Sequence, residues 1–562
     1  MTSASVRRAA ILALGLAVAP LVPAAVAQTG ASLPSAATAE MAGEWVGGSD
    51  LFGRSVSIMV ELPPAGSRVG RFTSLGWSAI RRPLTVETGP AGELRFHFPS
   101  TTGVPFVGSG RREGNVIRGT ISRGAERGSF HLVAVAAVPP AAEEPFIGTY
   151  DGPRGSEFLI SRDGFGHLRL VIVGSISSVA LFPRARGDYF FGNSVVGSTR
   201  PGQTLTFSRD AAGRVTGFVI RQSPGPEVAA TRVERYAQLP ARFRNGDVEL
   251  SGTLVLPSPS GRHPVAVLTE GSGDWTRDTA WWMDPVNVFL RRGIGIFIYD
   301  KRGVGQSAGD WRLSSYDALS GDLLAAVRAL RRHPNVDPAR IGARGMSQGG
   351  WIASLAASRS RDLAFLISLS ASAAGTVEAQ DTELLIERMR ADGFSEADLQ
   401  DARRLVGLTY LAPHSRAAWV RMQAAAEPLR GRRWFERTIA GLPRESWVWE
   451  QRRLNAGYDP ARAFERVRIP TLIVYGEQDR PGPSVPRLER ALRAAGNRDF
   501  TIRILPGANH NLEVPAADGS PLAEGFLDLV GDWTARRVCT AARPCAAVPP
   551  PPPDQSASAS AR

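Results

Sequence analysis

Ser347 sits in Gly345-Met346-Ser347-Gln348-Gly349-Gly350, between the apolar run Ile341-Gly342-Ala343 and the helix-like Trp351-Ile352-Ala353-Ser354-Leu355. A strand, a sharp turn and a helix with serine at the apex lift a hydroxyl above a sheet edge, next to a helix N-terminus. A serine hydroxyl is a poor nucleophile until a base removes its proton, and histidine suits that work because its ordinary pKa lies near neutrality. The base in turn needs an acid to fix its tautomer and balance its charge. The chemistry to look for is therefore acyl transfer through an activated serine.

Two serines fit the bare pattern Gly-x-Ser-x-Gly, because Gly305-Gln306-Ser307-Ala308-Gly309 matches as well. In a chain with 59 glycines such matches need context. Ser307 follows Tyr299-Asp300-Lys301-Arg302-Gly303, which already leads away from a strand end, and no helix begins there. Ser347 is the expected nucleophile. Of seven histidines, His97, His131 and His167 lie in an N-terminal β-rich region, and His263 precedes a strand. His333 precedes Pro334 on the side opposite the strand ends, and His414 lies in a helical stretch. His510 follows a strand candidate in Leu505-Pro506-Gly507-Ala508-Asn509-His510, at the carboxyl end where open α/β sheets gather reactive groups. Asp479, in Gly476-Glu477-Gln478-Asp479 after the run Thr471 to Tyr475, is the expected acid, with Glu477 its nearest competitor. The developing oxyanion needs N–H donors. Glu270-Gly271-Ser272-Gly273 after the run Val265 to Thr269 offers the backbone N–H of Ser272, and Gln348 offers the second.

These residues need a scaffold that brings strand ends together. From about residue 237 to 537 the sequence alternates β and α patterns, with buried-strand candidates at Val265 to Thr269, Ile294 to Tyr299, Ile341 to Arg344, Leu363 to Leu369, Thr471 to Tyr475 and Thr501 to Leu505. That is the pattern of an α/β fold, a mostly parallel sheet covered by helices on both faces. An Arg- and Trp-rich helical insertion, about 376–460, stands where a lid over a substrate pocket belongs. Trp281 and Trp282, and the insertion's Trp419, Trp434 and Trp447, are candidates for pocket walls or for core. Upstream, short alternating runs separated by Gly, Asp and Pro turns predict two small all-β modules, 40–138 and 143–236. They open alike, with Trp45 and Tyr150 between glycines, and both aromatics are expected to seal module cores. A Pro/Ala/Glu linker is expected from Val138 to Pro145.

Composition sets the remaining bounds. The net charge is +13, and Lys301 is the single lysine, so nearly all the positive charge is arginine. The arginines are scattered among acids, which predicts a solvated basic surface and no nucleic-acid partner. Arg7 and Arg8, the apolar run Ala9 to Val22 and the small-x-small Ala25-Val26-Ala27 read as a signal segment over 1–27. Cleavage there would leave no transmembrane anchor and a periplasmic or secreted protein. Cys539 and Cys545, in a Cys/Pro-rich tail over 538–562, are placed to form one small disulfide loop in an oxidising compartment. No His or Cys cluster has metal-ligand spacing, so no metal is expected.

Taken together, Gly271-Ser272-Gly273 with Arg277-Asp278, Tyr299-Asp300-Lys301-Arg302-Gly303-Val304-Gly305, the turn at Ser347, the Asp479 strand end and Asn509-His510 resemble the α/β-hydrolase superfamily. Within it the chain resembles serine esterases of the dienelactone-hydrolase and prolyl-oligopeptidase-like branch. The order Ser347, Asp479, His510 is the order of that fold's triad. The resemblance covers about 237–537 and implies hydrolysis of a small-molecule acyl ester through an acyl-serine, with no metal or organic cofactor. Three departures qualify it. Glu270 stands where many relatives carry histidine, serine replaces the cysteine of dienelactone hydrolases proper, and the β modules are too short for a propeller. Amide or thioester hydrolysis stays open, as does a binding protein on an inactive hydrolase fold.

Overall fold

The structure, a computed structural model, describes residues 41–551 apart from 54–55, 65, 75–78, 90–91, 100–103, 175–177, 194–202, 223–224, 258–259 and 516–520. The expected signal segment over 1–27 and the last eleven residues of the tail lie outside the described residues. Two compact units emerge, one carrying the β modules up to Gln238 and one spanning Leu239–Val548.

Each β module closes into an eight-stranded antiparallel barrel of sequential neighbours. In the first, Gly43–Ser49 pairs with Glu126–Ala134 to close the ring. In the second, Gly148–Asp151 pairs with Val228–Val233. The period-2 pattern shows directly: along Glu93–Phe98, Leu94, Phe96 and Phe98 are buried and the residues between them exposed. Both interiors are filled with rings, among them Phe72 stacked on Phe98 at 4.0 Å and Phe146 on Phe207 at 4.1 Å. Trp45 and Tyr150 are buried, and each donates to the carbonyl four residues upstream, Trp45 Nε1 to Met41 at 2.9 Å and Tyr150 Oη to Phe146 at 2.6 Å. The repeated bond makes the two modules alike in construction as well as in sequence.

The expected linker is not a loose connector. Pro140–Glu143 forms a helical turn, Glu144–Phe146 continues it, and Phe146 enters the second barrel's core. Glu143 is buried, accepting from Tyr189 Oη at 3.0 Å and pairing with Arg162 at 3.0 Å. A Pro/Ala/Glu composition suits an exposed spacer, but proline at a helix start suits a short helix equally well. The buried partners decide between them.

The second unit is built on one eight-stranded sheet: β1 Ala237–Asn245, β2 Val248–Leu256, β3 His263–Thr269, β4 Gly295–Tyr299, β5 Val336–Met346, β6 Leu366–Leu369, β7 Thr471–Gly476 and β8 Phe500–Leu505. All six strand candidates are present. β1 and β2 were not among them, although Asn245-Gly246 is a hairpin signal and Gly246 takes φ +58°. The spatial order is β1-β2-β4-β3-β5-β6-β7-β8. β2 runs antiparallel to β4, and β3 to β8 pair in parallel. β3 lies between β4 and β5, with Val267 opposite Phe297 on one side and Ala343 on the other. After β4 the chain must cross to the far side of β3, so the connections diverge there, at the switch point where open α/β sheets bind ligands. Helices α1 Tyr316–Leu330 and α2 Gln348–Ala357 flank β5 in sequence.

Between β6 and β7 lies the insertion, with α3 Val377–Ala391, α4 Glu396–Leu411, α5 Arg416–Ala426 and α6 Trp447–Leu454. It has a core of its own that includes Ile386, Met389, Leu405, Met422, Trp434 and Trp449. The unit closes with α7 Ser484–Ala494 and α8 Phe526–Val538, and a disulfide joins Cys539 to Cys545. Among the described residues no helix is long and apolar enough to cross a membrane.

Candidate active site

Ser347 joins β5 to α2 with φ 52° and ψ −121°, a strained conformation for a residue with a Cβ. The neighbouring backbone enforces it. A Cβ on Gly345 would lie 2.1 Å from the Gly349 carbonyl oxygen, and one on Gly349 would lie 2.3 Å from that of Thr269. Ser347 N–H donates to Leu369 O at 2.8 Å, which pins the turn to β6. Gln348 begins α2, so its N–H is one of the donors that a helix leaves without an intrahelical partner.

His510 and Asp479 stand on two loops sewn together. Gln478 N–H donates to Ala508 O at 2.9 Å, Gln478 Nε2 to Gly507 O at 2.8 Å, and Gly507 N–H to Glu477 Oε2 at 2.8 Å. Glu477, the competing acid, is thus committed to the backbone of the histidine loop. Asp479 faces the ring, with His510 Nδ1 at 2.8 Å from Oδ1 and 2.9 Å from Oδ2. A carboxylate can only accept, so Nδ1 carries the proton and the lone pair of a neutral ring lies on Nε2. Among the described residues Nε2 has no hydrogen-bond partner. The ring is about a third exposed, with 35% of its side-chain area open to solvent.

The loop after β3 approaches the serine closely. A Cβ built on Gly271 would lie 3.3 Å from Ser347 Cβ and 3.8 Å from its Oγ, so only glycine lets the backbone pass here comfortably. Arg277 and Asp300 brace this loop from below. Both are buried, and Arg277 donates to both carboxylate oxygens and to the hydroxyls of Ser251 and Thr253. Glu270, the departure from the resembling family, pairs with Arg344 on β5 at 2.8 Å, so its charge is balanced inside the fold. Ser272 turns its carbonyl to Trp275 Nε1 at 2.6 Å.

Ser307 has a different task. Its Oγ donates to Asp300 O at 2.7 Å and accepts from Ser251 N–H at 3.0 Å, and the residue is buried. Trp281 is buried in the short helix Arg277–Met283, and the side chain of Trp282 lies outside the described residues. Trp434 is buried within the insertion, Trp419 packs on Trp449 at 4.9 Å, and Trp447 meets Trp311 at 5.8 Å. The sequence reading gave no separate role to Asp300 or Arg277. Their signal was their place beside the glycine-rich loops, but pairing across a separation of 23 residues is visible only in the fold.

Residues 277–514 match the family model described as serine aminopeptidase, S33 (Hydrolase_4). With the strand order above, that decides the fold class. The C-terminal unit has the α/β-hydrolase fold. A stretch of 161 residues of the chain is 28% identical to the thiohydrolase aneE of Aspergillus aculeatus. It covers 28% of this chain and 48% of that protein, so the match spans about half of the relative's length. Among solved structures, DcsB in complex with its substrate analogue is similar at 17% identity and TM-score 0.36, over 54% of this chain and 100% of its own. An esterase of Pyrococcus furiosus is similar at 15% and 0.35, over 54% and 91%. The dienelactone hydrolase of Anabaena variabilis is similar at 16% and 0.31, over 54% and 97%.

Proposed function

We propose that the protein is an exported serine hydrolase that cleaves carboxylic esters through an acyl-serine intermediate. One observation carries this reading: a serine held at φ 52° on a strand-to-helix turn, in a chain whose later strand-end histidine has its Nδ1 tied to a carboxylate at 2.8 Å. In the proposed cycle, Ser347 Oγ attacks the ester carbonyl while His510 Nε2 takes its proton. The N–H groups of Ser272 and Gln348 receive the oxyanion, and His510 then passes the proton to the leaving alcohol. Water activated by the same ring releases the acid. Export is supported by the signal pattern in 1–27 and by the Cys539–Cys545 disulfide.

Two other acyl groups have a specific observation behind them. The relative named a thiohydrolase favours a thioester, and the family described as an aminopeptidase favours an aminoacyl amide. The test is a fluorophosphonate probe with a panel of p-nitrophenyl esters, acyl thioesters and aminoacyl amides. Labelling that disappears in Ser347→Ala, together with turnover of short esters, is the expected result. Absence of labelling in folded wild-type protein would leave only a binding role. Labelling with turnover confined to thioesters or amides would reassign the bond.

A further inference from the structure

The chain carries one lysine against 65 arginines, and that lysine is buried against the residue after the proposed nucleophile. Lys301 follows β4 and sends its Nζ to Gly271 O at 2.8 Å and to Gln348 Oε1 at 2.7 Å. These partners belong to the two segments that present the oxyanion donors. The Gly271 carbonyl and the Ser272 N–H share one peptide unit, and in a planar trans peptide they point in opposite directions. An ammonium on the carbonyl end therefore fixes where the N–H end aims. It also polarises the peptide, which strengthens the N–H as a donor. The second bond holds the side chain of Gln348, the residue whose own N–H is the other donor.

We propose that Lys301 is the positioning residue of the oxyanion site, clamping the Gly271–Ser272 peptide and Gln348 so that their N–H groups converge on one oxygen. The inference rests on the acyl-serine reading and adds a part to it. Residue type fits the role. A compact ammonium can serve a carbonyl and an amide oxygen while seated 4.3 Å from the centre of the Trp311 ring. Arginine's planar fork has another shape and never sheds its charge. The groups facing Nζ are Asp274 and Glu270, which favour its charge, and Arg312, which opposes it. Burial, with Arg312 beside it, outweighs the two carboxylates and pushes the amine down to about 7. The clamp is then strongest in the charged form, below that pH, and weakens above it.

Having one lysine makes the test direct. Full-length protein grown on lysine labelled with 13C at the ε-carbon gives one lysine resonance, and its shift is expected to titrate near neutrality. Lys301→Met is expected to lower both kcat and the rate of fluorophosphonate labelling by about 100-fold, with KM and Tm little changed. It should also abolish the fall in kcat as pH rises through neutrality, and Lys301→Arg should not rescue it. A Lys301→Met enzyme labelled within about threefold of the wild-type rate would overturn the clamp. Titration near the ordinary lysine value of about 10.4 would overturn its weakening above neutrality. Wild-type protein that takes up no probe would sink the acyl-serine reading as well. Wild-type protein that labels, beside a variant that labels equally, would sink this inference alone.

Discussion

Two histidine–carboxylate pairs occupy two regions of this molecule and illustrate opposite uses of one side chain. At the sheet rim, His510 gives one nitrogen to Asp479, and among the described residues the other has no partner. Between the barrels, His167 has a carboxylate at each nitrogen, Glu44 Oε1 2.7 Å from Nε2 and Asp163 Oδ2 3.6 Å from Nδ1. Glu44 belongs to the first barrel's opening strand and His167 to the second barrel, so the ring bridges the two beside the apolar contact of Met59 and Phe182. Burial works against its charge, but Asp163 and then Glu44 outweigh burial and hold the imidazolium well above histidine's ordinary range. One ring is arranged to accept a proton and the other to keep one. The number of carboxylates in reach separates the two: the proposed base has one and the brace has two.

The sharpest way to break this contrast is at the rim. His510→Ala is expected to lower kcat by about 10^6-fold, and adding Ser347→Ala should cost little more, because the members of such a unit do not act independently. Asp479→Asn keeps the shape but presents an amide to the ring, and about 10^4-fold of kcat should be lost. Steady-state kinetics on a short ester checks both. Tm should stay near wild type, since neither change opens the core.

At the brace the expected signs reverse. His167→Leu should leave kcat/KM unchanged and destabilise the barrel unit by about 3 kcal/mol, because two carboxylates lose their counter-charge. The pH dependence sharpens the point. A histidine whose native pKa is raised contributes stability that is complete below about pH 6.5 and fades as pH climbs through the raised value. Denaturant midpoints measured across neutral to alkaline pH should fall for the wild type and lose that component in the variant. The smallest effect belongs to Tyr150→Phe, which removes the bond to Phe146 O and should cost about 1 kcal/mol of barrel stability with no change in turnover.

Much of this arrangement was legible along the chain because its signals are local. Period-2 alternation marked the barrels, six strand runs marked the sheet, and glycines around a serine marked the turn whose backbone leaves no room for side chains. The β1–β2 hairpin was missed although its Asn-Gly turn was present, since its mixed polar composition hid the strands. The helical turn inside the Val138–Pro145 linker was not legible, because proline and glutamate look alike in a spacer and in a helical turn. Local context, a strand before and a helix after, ranked Ser347 above Ser307, and the fold supplied the physical ground: the hydroxyl of Ser307 is already bonded at both its donor and its acceptor.

What residue types and spacing determined by themselves was the inventory: a serine at a strand-to-helix turn, an acid and a base at later strand ends, one lysine, and two β-rich modules ahead of them. What only the tertiary structure decided was pairing. That Glu270 meets Arg344, that Lys301 reaches both Gly271 and Gln348, and that His167 reaches Glu44 depends on contacts between residues far apart in the chain. Turn and strand propensities act over a few residues and can be read there. Charge balance and hydrogen-bond partnership act through space, and they become defined only when packing has brought distant segments within about 3 Å.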